Sequence, residues 1–170
     1  LLKMSQDQYT VVIDGGYLWR MCRDSMEIRS IIELFTSSGR IGSVYVVDVK
    51  AIESARNNWQ WTLEQSGVIV ETFSPSNKGA GIVRMAAHMC KAASNDLNVS
   101  LFTDDGDLAP IVLFISGRLY PNRRLALWAF DGFVNVQLAE IRAPTIEIRH
   151  VSLPSLRSLS IILPKISSAV

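Results

Sequence analysis

A three-layer α/β/α sandwich built on a mainly parallel sheet of five or six strands is the fold this sequence predicts. Short runs rich in Val, Ile, Tyr and Phe recur along the chain, separated by amphipathic stretches of ten or more residues. That alternation favours right-handed crossover connections, which cover a parallel sheet with helices on both faces. Several of the runs end on an acidic residue. In sheets of this class, ligands bind beyond the carboxyl ends of the strands, where strand order reverses.

The elements follow in order. Tyr9 to Asp14 is a first strand closed by Gly15 and Gly16, and Leu18 to Phe35 has helical spacing of Leu18, Cys22, Ile28, Ile31, Ile32 and Phe35. After a turn over 37–42, Ser43 to Asp48 is a second strand. Ala51 to Ser66 is a helix carrying Trp59, Trp61 and Leu63, stopped by Gly67. Val68 to Phe73 is a third strand and 74–79 a loop. Gly81 to Ala93 is a helix packing through Ile82, Ala86, Met89 and Ala93. Val99 to Thr103 is a fourth strand, and Leu108 to Ile115 the helix after it. Arg123 to Phe130 is a fifth strand and Thr145 to Val151 a sixth.

Length and composition set bounds. With 170 residues, 48% hydrophobic and 19% charged, the chain has enough apolar content for a substantial core. One domain spans 1–151. Residues 152–170 form a Ser- and Leu-rich, nearly uncharged extension, and its apolar side chains call for a protein partner that covers them. A net charge of +1 means that any basic footprint is local. No apolar run approaches the roughly 18 residues of a membrane span. The first residues lack the apolar core of a secretory signal, so the expected setting is intracellular. The chain opens on Leu1 rather than Met, which is compatible with a longer precursor. Cys22 and Cys90 are expected to be buried free thiols, since two cysteines at that spacing make neither a zinc site nor a redox pair.

Chemistry concentrates after the fourth strand. Asp104, Asp105 and Asp107 fall within four residues around Gly106, which lets the backbone turn tightly. Such carboxylates repel one another unless solvent, a cation or a donor-rich turn relieves them. The plainest role is structural, with Asp107 capping a helix whose first turn tolerates Pro110. Against it stands convergence: Asp14 ends the first strand, Asp48 the second, and Asp104 and Asp105 follow the fourth. All are expected at one edge of the sheet, which favours a metal or phosphate site.

Three segments resemble a known family. Val12-Ile-Asp-Gly-Gly-Tyr-Leu18 resembles the opening Ile-Asp-Gly-x-Asn-Leu of NYN domains, a PIN-like nuclease group. Lys78-Gly-Ala-Gly-Ile-Val-Arg84 resembles their Lys-Gly-Val-Asp helix start, and Thr103-Asp-Asp-Gly-Asp-Leu-Ala-Pro-Ile-Val112 their Ser-Gly-Asp-Ser-Asp-Phe-x-Pro-Leu-Val. The segments keep the family's order through residues 9–130. The resemblance implies a PIN/NYN-like α/β/α sandwich and either a metal-dependent ribonuclease or an RNA-binding relative. It assigns Asp14 to a Mg²⁺ or Mn²⁺ ion, Asp105 to the completion of that site and Asp107 to its support, directly or through water. Such a cluster would hold the ion against a phosphate and lower the pKa of an attacking water. Asp48 and Asp104 would tune the field. The Asp-x-Asp of Toprim domains is also similar to Asp105-Gly-Asp107, but those domains carry Glu where this chain has Asp14.

The departures weaken the metal site. The family's Asn falls at Tyr17, its helix-start Asp at Gly81, and a further acid at His88. Positions 81, 84 and 88 share a helix face, so Gly81, Arg84 and His88 are expected to face the cleft. Fewer carboxylates and more cations favour bare phosphate over a divalent ion. Lys78, Arg84, His88, Arg118, Arg123 and Arg124 are therefore expected to contact nucleic acid, with Lys91 nearby, as a basic rim around the acidic cleft. Trp59, Trp61 and Trp128 offer stacking surfaces for bases, although tryptophans in amphipathic elements mostly join the core. Two readings stand. One is an RNA-binding or scaffold subunit of a ribonucleoprotein or RNA-processing assembly with an incomplete acidic site. The other is an active ribonuclease using Asp14, Asp105 and Asp107.

Overall fold

Six strands, each continuous with the next through a crossover, form the centre of the computed structural model, which describes residues 8–22, 30–31, 40–77, 79–119, 122–132 and 135–152. In chain order they are β1 (Gln8–Asp14), β2 (Arg40–Val49), β3 (Ile69–Phe73), β4 (Asn98–Phe102), β5 (Leu125–Phe130) and β6 (Ile146–Val151). All neighbouring pairs are parallel, in the order β3-β2-β1-β4-β5-β6. Strand order reverses between β1 and β4, so those two strands flank the switch point. Every residue of β4 and β5 is buried, as expected for parallel strands covered on both faces.

The helices bounded within the described residues are α1 (Gly15–Met21), α2 (Ser54–Gln65), α3 (Ala80–Ser94), α4 (Ala109–Ser116) and α5 (Val136–Ala139), with a 3₁₀ turn over Gly106–Leu108. One core joins α1 and α2 to the sheet through Tyr17, Leu18, Trp59 and Leu63 against Val11, Ile13, Val46, Phe102 and Phe130. The other joins α3, α4 and α5 to the opposite face through Met85, Met89, Val112, Ile115 and Leu138 against Val12, Val47, Leu101 and Leu127. The expected three-layer α/β/α sandwich with a parallel sheet is the fold.

Several boundaries differ from the sequence reading, each for a local reason. The first helix starts at Gly15, three residues early, because the Asp14 side chain accepts a hydrogen bond from the Tyr17 amide and caps it. Of the remainder of that expected helix, only Met21, Cys22 and the helical Ser30 and Ile31 are described. After β4 the capping residue is Asp105 rather than Asp107: its Oδ1 accepts from the Asp107 amide at 2.9 Å. Helix α5 is only four residues long, too short for periodicity to show, and is capped by Asn135. Cys22 is buried and Cys90 half-buried, both as free thiols. Lys78 and residues 153–170, and so nearly all of the expected partner-covered tail, lie outside the described residues. No helix among the described residues is long and apolar enough to cross a membrane.

Candidate functional site

The switch point places the end of β1 beside the end of β4. Ile13 pairs with Phe102, so Asp14 and Thr103 leave the sheet together. The Thr103 hydroxyl donates to Asp14 Oδ2 at 3.1 Å and accepts from the Asp105 amide at 3.0 Å. One hydroxyl thereby fixes both acids. Asp14 and Asp105 line a single small cavity of about 100 Å³, together with Asp48, Phe73 and Gly81. Burial pushes the Asp14 carboxyl above its ordinary range, against the pull of the hydrogen bonds from Tyr17 and Thr103, and Asp104 nearby adds to the rise.

The other acids are committed elsewhere. Asp48 is 1% exposed and is neutralised by Arg56, which grips both carboxylate oxygens. Gln60 Nε2 adds a third donor at 2.6 Å. A Cβ on Gly15 would stand 2.5 Å from Asp48 Cβ, so only glycine lets α1 begin this close to the buried pair. Asp104 faces Arg20, whose Nη2 reaches its two oxygens at 2.9 and 3.2 Å. Asp107 is exposed and does not line the cavity. The expected meeting of Asp14, Asp105 and Asp107 thus reduces to two acids, because the turn after Asp105 carries Asp107 outward.

Two of the three departures from the family pattern, at Tyr17 and Gly81, have structural causes. Tyr17 is fully buried against Phe102 and Phe130, and its hydroxyl accepts from the Phe130 amide at 2.9 Å. Burial raises its pKa to about 12. It is a core residue that ties α1 to β5. A Cβ on Gly81 would meet the Phe73 ring at 2.8 and 2.9 Å. Phe73, from the end of β3, therefore fills the space into which an acid at position 81 would project.

Among the described residues the expected basic rim does not assemble around this cavity. Arg84 and His88 share a face of α3 with Gly81, yet both turn to Glu71 on β3, at 3.8 and 3.0 Å. His88 also stacks on Tyr45, with ring centroids 3.8 Å apart. Arg123 and Arg124 precede β5 and so stand at the opposite edge of the parallel sheet. Arg123 is buried in a two-point pair with Asp96, and the Arg124 amide donates to Asn98 at the start of β4. Arg118 follows α4, which runs back to that same edge, and lies over Phe114. A strand of five residues separates the two edges by roughly 16 Å. Trp59 and Trp128 are buried, whereas Trp61 is 61% exposed.

Four residues at the site carried little signal in the chain. Arg20 and Arg56 occupy ordinary helix positions. Thr103 occupies the Ser position of the quoted motif, and a hydroxyl there is what bridges two acids. Phe73 reads as nothing more than the end of a strand.

The Mg²⁺ or Mn²⁺ that the resemblance implies can be set against these residues. Asp14 accepts one internal hydrogen bond on each oxygen and keeps a lone pair on each, but Asp48 is held by Arg56, and Phe73 occupies the third direction. Among the described residues no group of three or more His, Cys, Asp or Glu side chains is placed to hold a metal ion. The residues present do not fit a resident divalent ion.

Comparison with known proteins agrees on the fold. A protein of unknown function from Vibrio parahaemolyticus has a similar crystal structure, with a TM-score of 0.68 and 16% identity, covering 90% of this chain and 96% of that one. No curated protein matches the chain significantly. The sequence model of the NYN domain matches residues 9–120, more than half of the chain and the whole of the site described here. NYN and PIN-like nucleases generally depend on divalent metals and act on RNA. By that match, and with the parallel α/β architecture behind it, this chain belongs to the NYN domain family.

Proposed function

We propose that this chain is an RNA-binding subunit of an RNA-processing or ribonucleoprotein assembly, in which the nuclease-type acidic site no longer cleaves. The observation that carries the reading is the Phe73 ring packed over Gly81. Where a helix-borne carboxylate would complete the site, the chain has instead closed the space with carbon. With Asp48 neutralised by Arg56, Asp14 and Asp105 present two unneutralised carboxylates to a narrow cavity, and phosphate does not approach them without a cation between. The acids that remain act locally: Asp14 caps α1, Asp105 caps the turn before α4, and Asp48 anchors Arg56 and Gln60. RNA affinity then comes from exposed cations and aromatic surface outside the cavity, which supply phosphate contacts and stacking.

The test is a pair of measurements on the full chain. Labelled single-stranded RNA is expected to bind in the presence of EDTA and to stay intact when Mn²⁺ is added. Mn²⁺-dependent cleavage that disappears in Asp105→Asn would establish the active-nuclease reading in its place. A designed variant addresses the cause directly. Phe73→Ala combined with Gly81→Asp restores both the space and the carboxylate, and calorimetric titration is expected to show Mn²⁺ binding tighter than in the wild type.

A further inference from the structure

On the opposite face of the sheet from the acidic cavity, α2 and the edge strand β3 leave an open groove. Its walls include Lys50, Asn57, Gln60, Trp61, Glu64 and Val70, and its volume is about 600 Å³. That lies within the roughly 300–1,000 Å³ of small-ligand sites. We propose that this groove takes one nucleotide of single-stranded RNA, its base stacked on Trp61, and that it favours bases carrying an exocyclic amino group. The inference rests on the RNA-binding reading and names the place where it operates.

Four features argue for a nucleotide. Trp59 and Trp61 stand on the same helix, but Trp59 is 4% exposed and Trp61 61% exposed, so the second indole presents a free face. Asn57, Trp61 and Glu64 are spaced by four and three residues and so form one stripe along α2. The floor of the groove is fixed: Gln60 is 6% exposed, and its Nε2 is committed to Asp48 at 2.6 Å and to the Val49 carbonyl at 2.9 Å. Asp48 lines the acidic cavity as well, so this one hydrogen bond joins the two sites through the sheet. Six of the nine lining residues carry polar side chains, which suits a nucleotide better than the apolar core of a protein partner.

The charges set a direction. Lys50 follows β2 directly and stands at the carboxyl edge of the sheet, whereas α2 runs back from that edge and carries Glu64 to the far end of the groove. A phosphate is attracted to Lys50 and repelled by Glu64. The base therefore lies on Trp61 with its edge toward Glu64, while Asn57 stands one turn back on the phosphate side. A carboxylate accepts from the amino groups of cytosine, adenine or guanine, while the corresponding O4 of uracil offers only an acceptor.

The experiment measures fluorescence anisotropy of labelled oligo(C), oligo(A) and oligo(U) of equal length against the full chain, at physiological ionic strength. Oligo(C) and oligo(A) are expected to bind more tightly than oligo(U). Trp61→Ala is expected to weaken oligo(C) binding about tenfold, the scale of base stacking on an aromatic side chain, and Trp61→Phe to retain most of the affinity. Glu64→Gln is expected to narrow the preference for oligo(C) over oligo(U). Because both side chains are exposed, thermal melts of the variants are expected to match the wild type. Unchanged affinity in Trp61→Ala overturns the groove assignment and leaves the RNA-binding reading standing. Equal affinity of the wild type for the three oligomers overturns the amino-group preference. A wild-type chain that binds none of them overturns both this inference and the reading it rests on.

Discussion

Asp14 is the residue at which fold and chemistry are hardest to separate. It accepts from the Tyr17 amide and the Thr103 hydroxyl, and burial nevertheless holds its carboxyl above the ordinary aspartate range. The sign of the consequence follows from proton linkage. A carboxyl with a raised folded-state pKa binds its proton more tightly in the native chain than in the unfolded one. Its contribution to stability is therefore full below the ordinary aspartate range and is lost as pH rises through the folded value. Asp14→Asn removes that loss while keeping an oxygen to accept from Tyr17. Denaturant melts are expected to show the variant more stable than the wild type at neutral pH, with the gain vanishing in acid. A variant less stable at neutral pH would mean that the charged form is the one the fold prefers. The acid itself was legible in the sequence, because it ends a strand and is followed by two glycines. Its neighbour Phe73 was not, since nothing local in a strand end announces that a ring will lie over a helix eight residues later.

Among the elements, α1 shows how a change of one residue type rewires the packing around a site. Where the family carries Asn, Tyr17 places its ring between Phe102 of β4 and Phe130 of β5, with centroid distances of 5.2 and 5.6 Å, and bonds to the Phe130 amide. Its size, not its polarity, is what the element uses. Tyr17→Asn is expected to cost about 3–5 kcal/mol of folding stability, the scale of deleting a buried aromatic ring. Tyr17→Phe keeps the ring and loses only the hydroxyl bond, at about 1–2 kcal/mol. Urea denaturation of the two variants separates packing from hydrogen bonding, and equal costs would show that the bond dominates. Elements of this length were legible from apolar runs and spacing, which is why strands and helices fall close to their expected places. Their ends were less so, because Asp14 and Asp105 extend or restart helices by capping, and a cap is a side-chain geometry. The direction of the strands carries a further lesson. Arg123 and Arg124 precede β5 while Asp14 and Asp105 follow β1 and β4, and in a parallel sheet those positions lie at opposite edges. Counting basic residues along the chain cannot see that separation; the strand directions do.

For the molecule as a whole, that separation sorts charge along the strand axis. Asp14, Asp104 and Asp105 stand at the carboxyl edge beside Arg20 and Lys50, and Arg118 and Arg124 at the amino edge beside the buried Arg123–Asp96 pair, on a chain whose net charge is only +1. RNA held by one broad basic face would feel all of the amino-edge arginines. RNA lying along the groove between α2 and β3 would feel Lys50 and little of them, since β3 and β5 stand four strand spacings, roughly 19 Å, apart and charges in physiological salt are screened over about 8 Å. Salt dependence distinguishes the two paths. Each phosphate neutralised on a single strand contributes about 0.7 to the slope of log affinity against log salt. Lys50→Ala is expected to lower the slope by about that amount and to weaken binding of every sequence alike, because a phosphate contact carries no base information. Arg124→Glu is expected to change affinity by no more than about twofold, the residue of a screened long-range field. Binding that falls as far in Arg124→Glu as in Lys50→Ala would place the RNA across the amino edge instead, on the face that the buried Arg123–Asp96 pair supports.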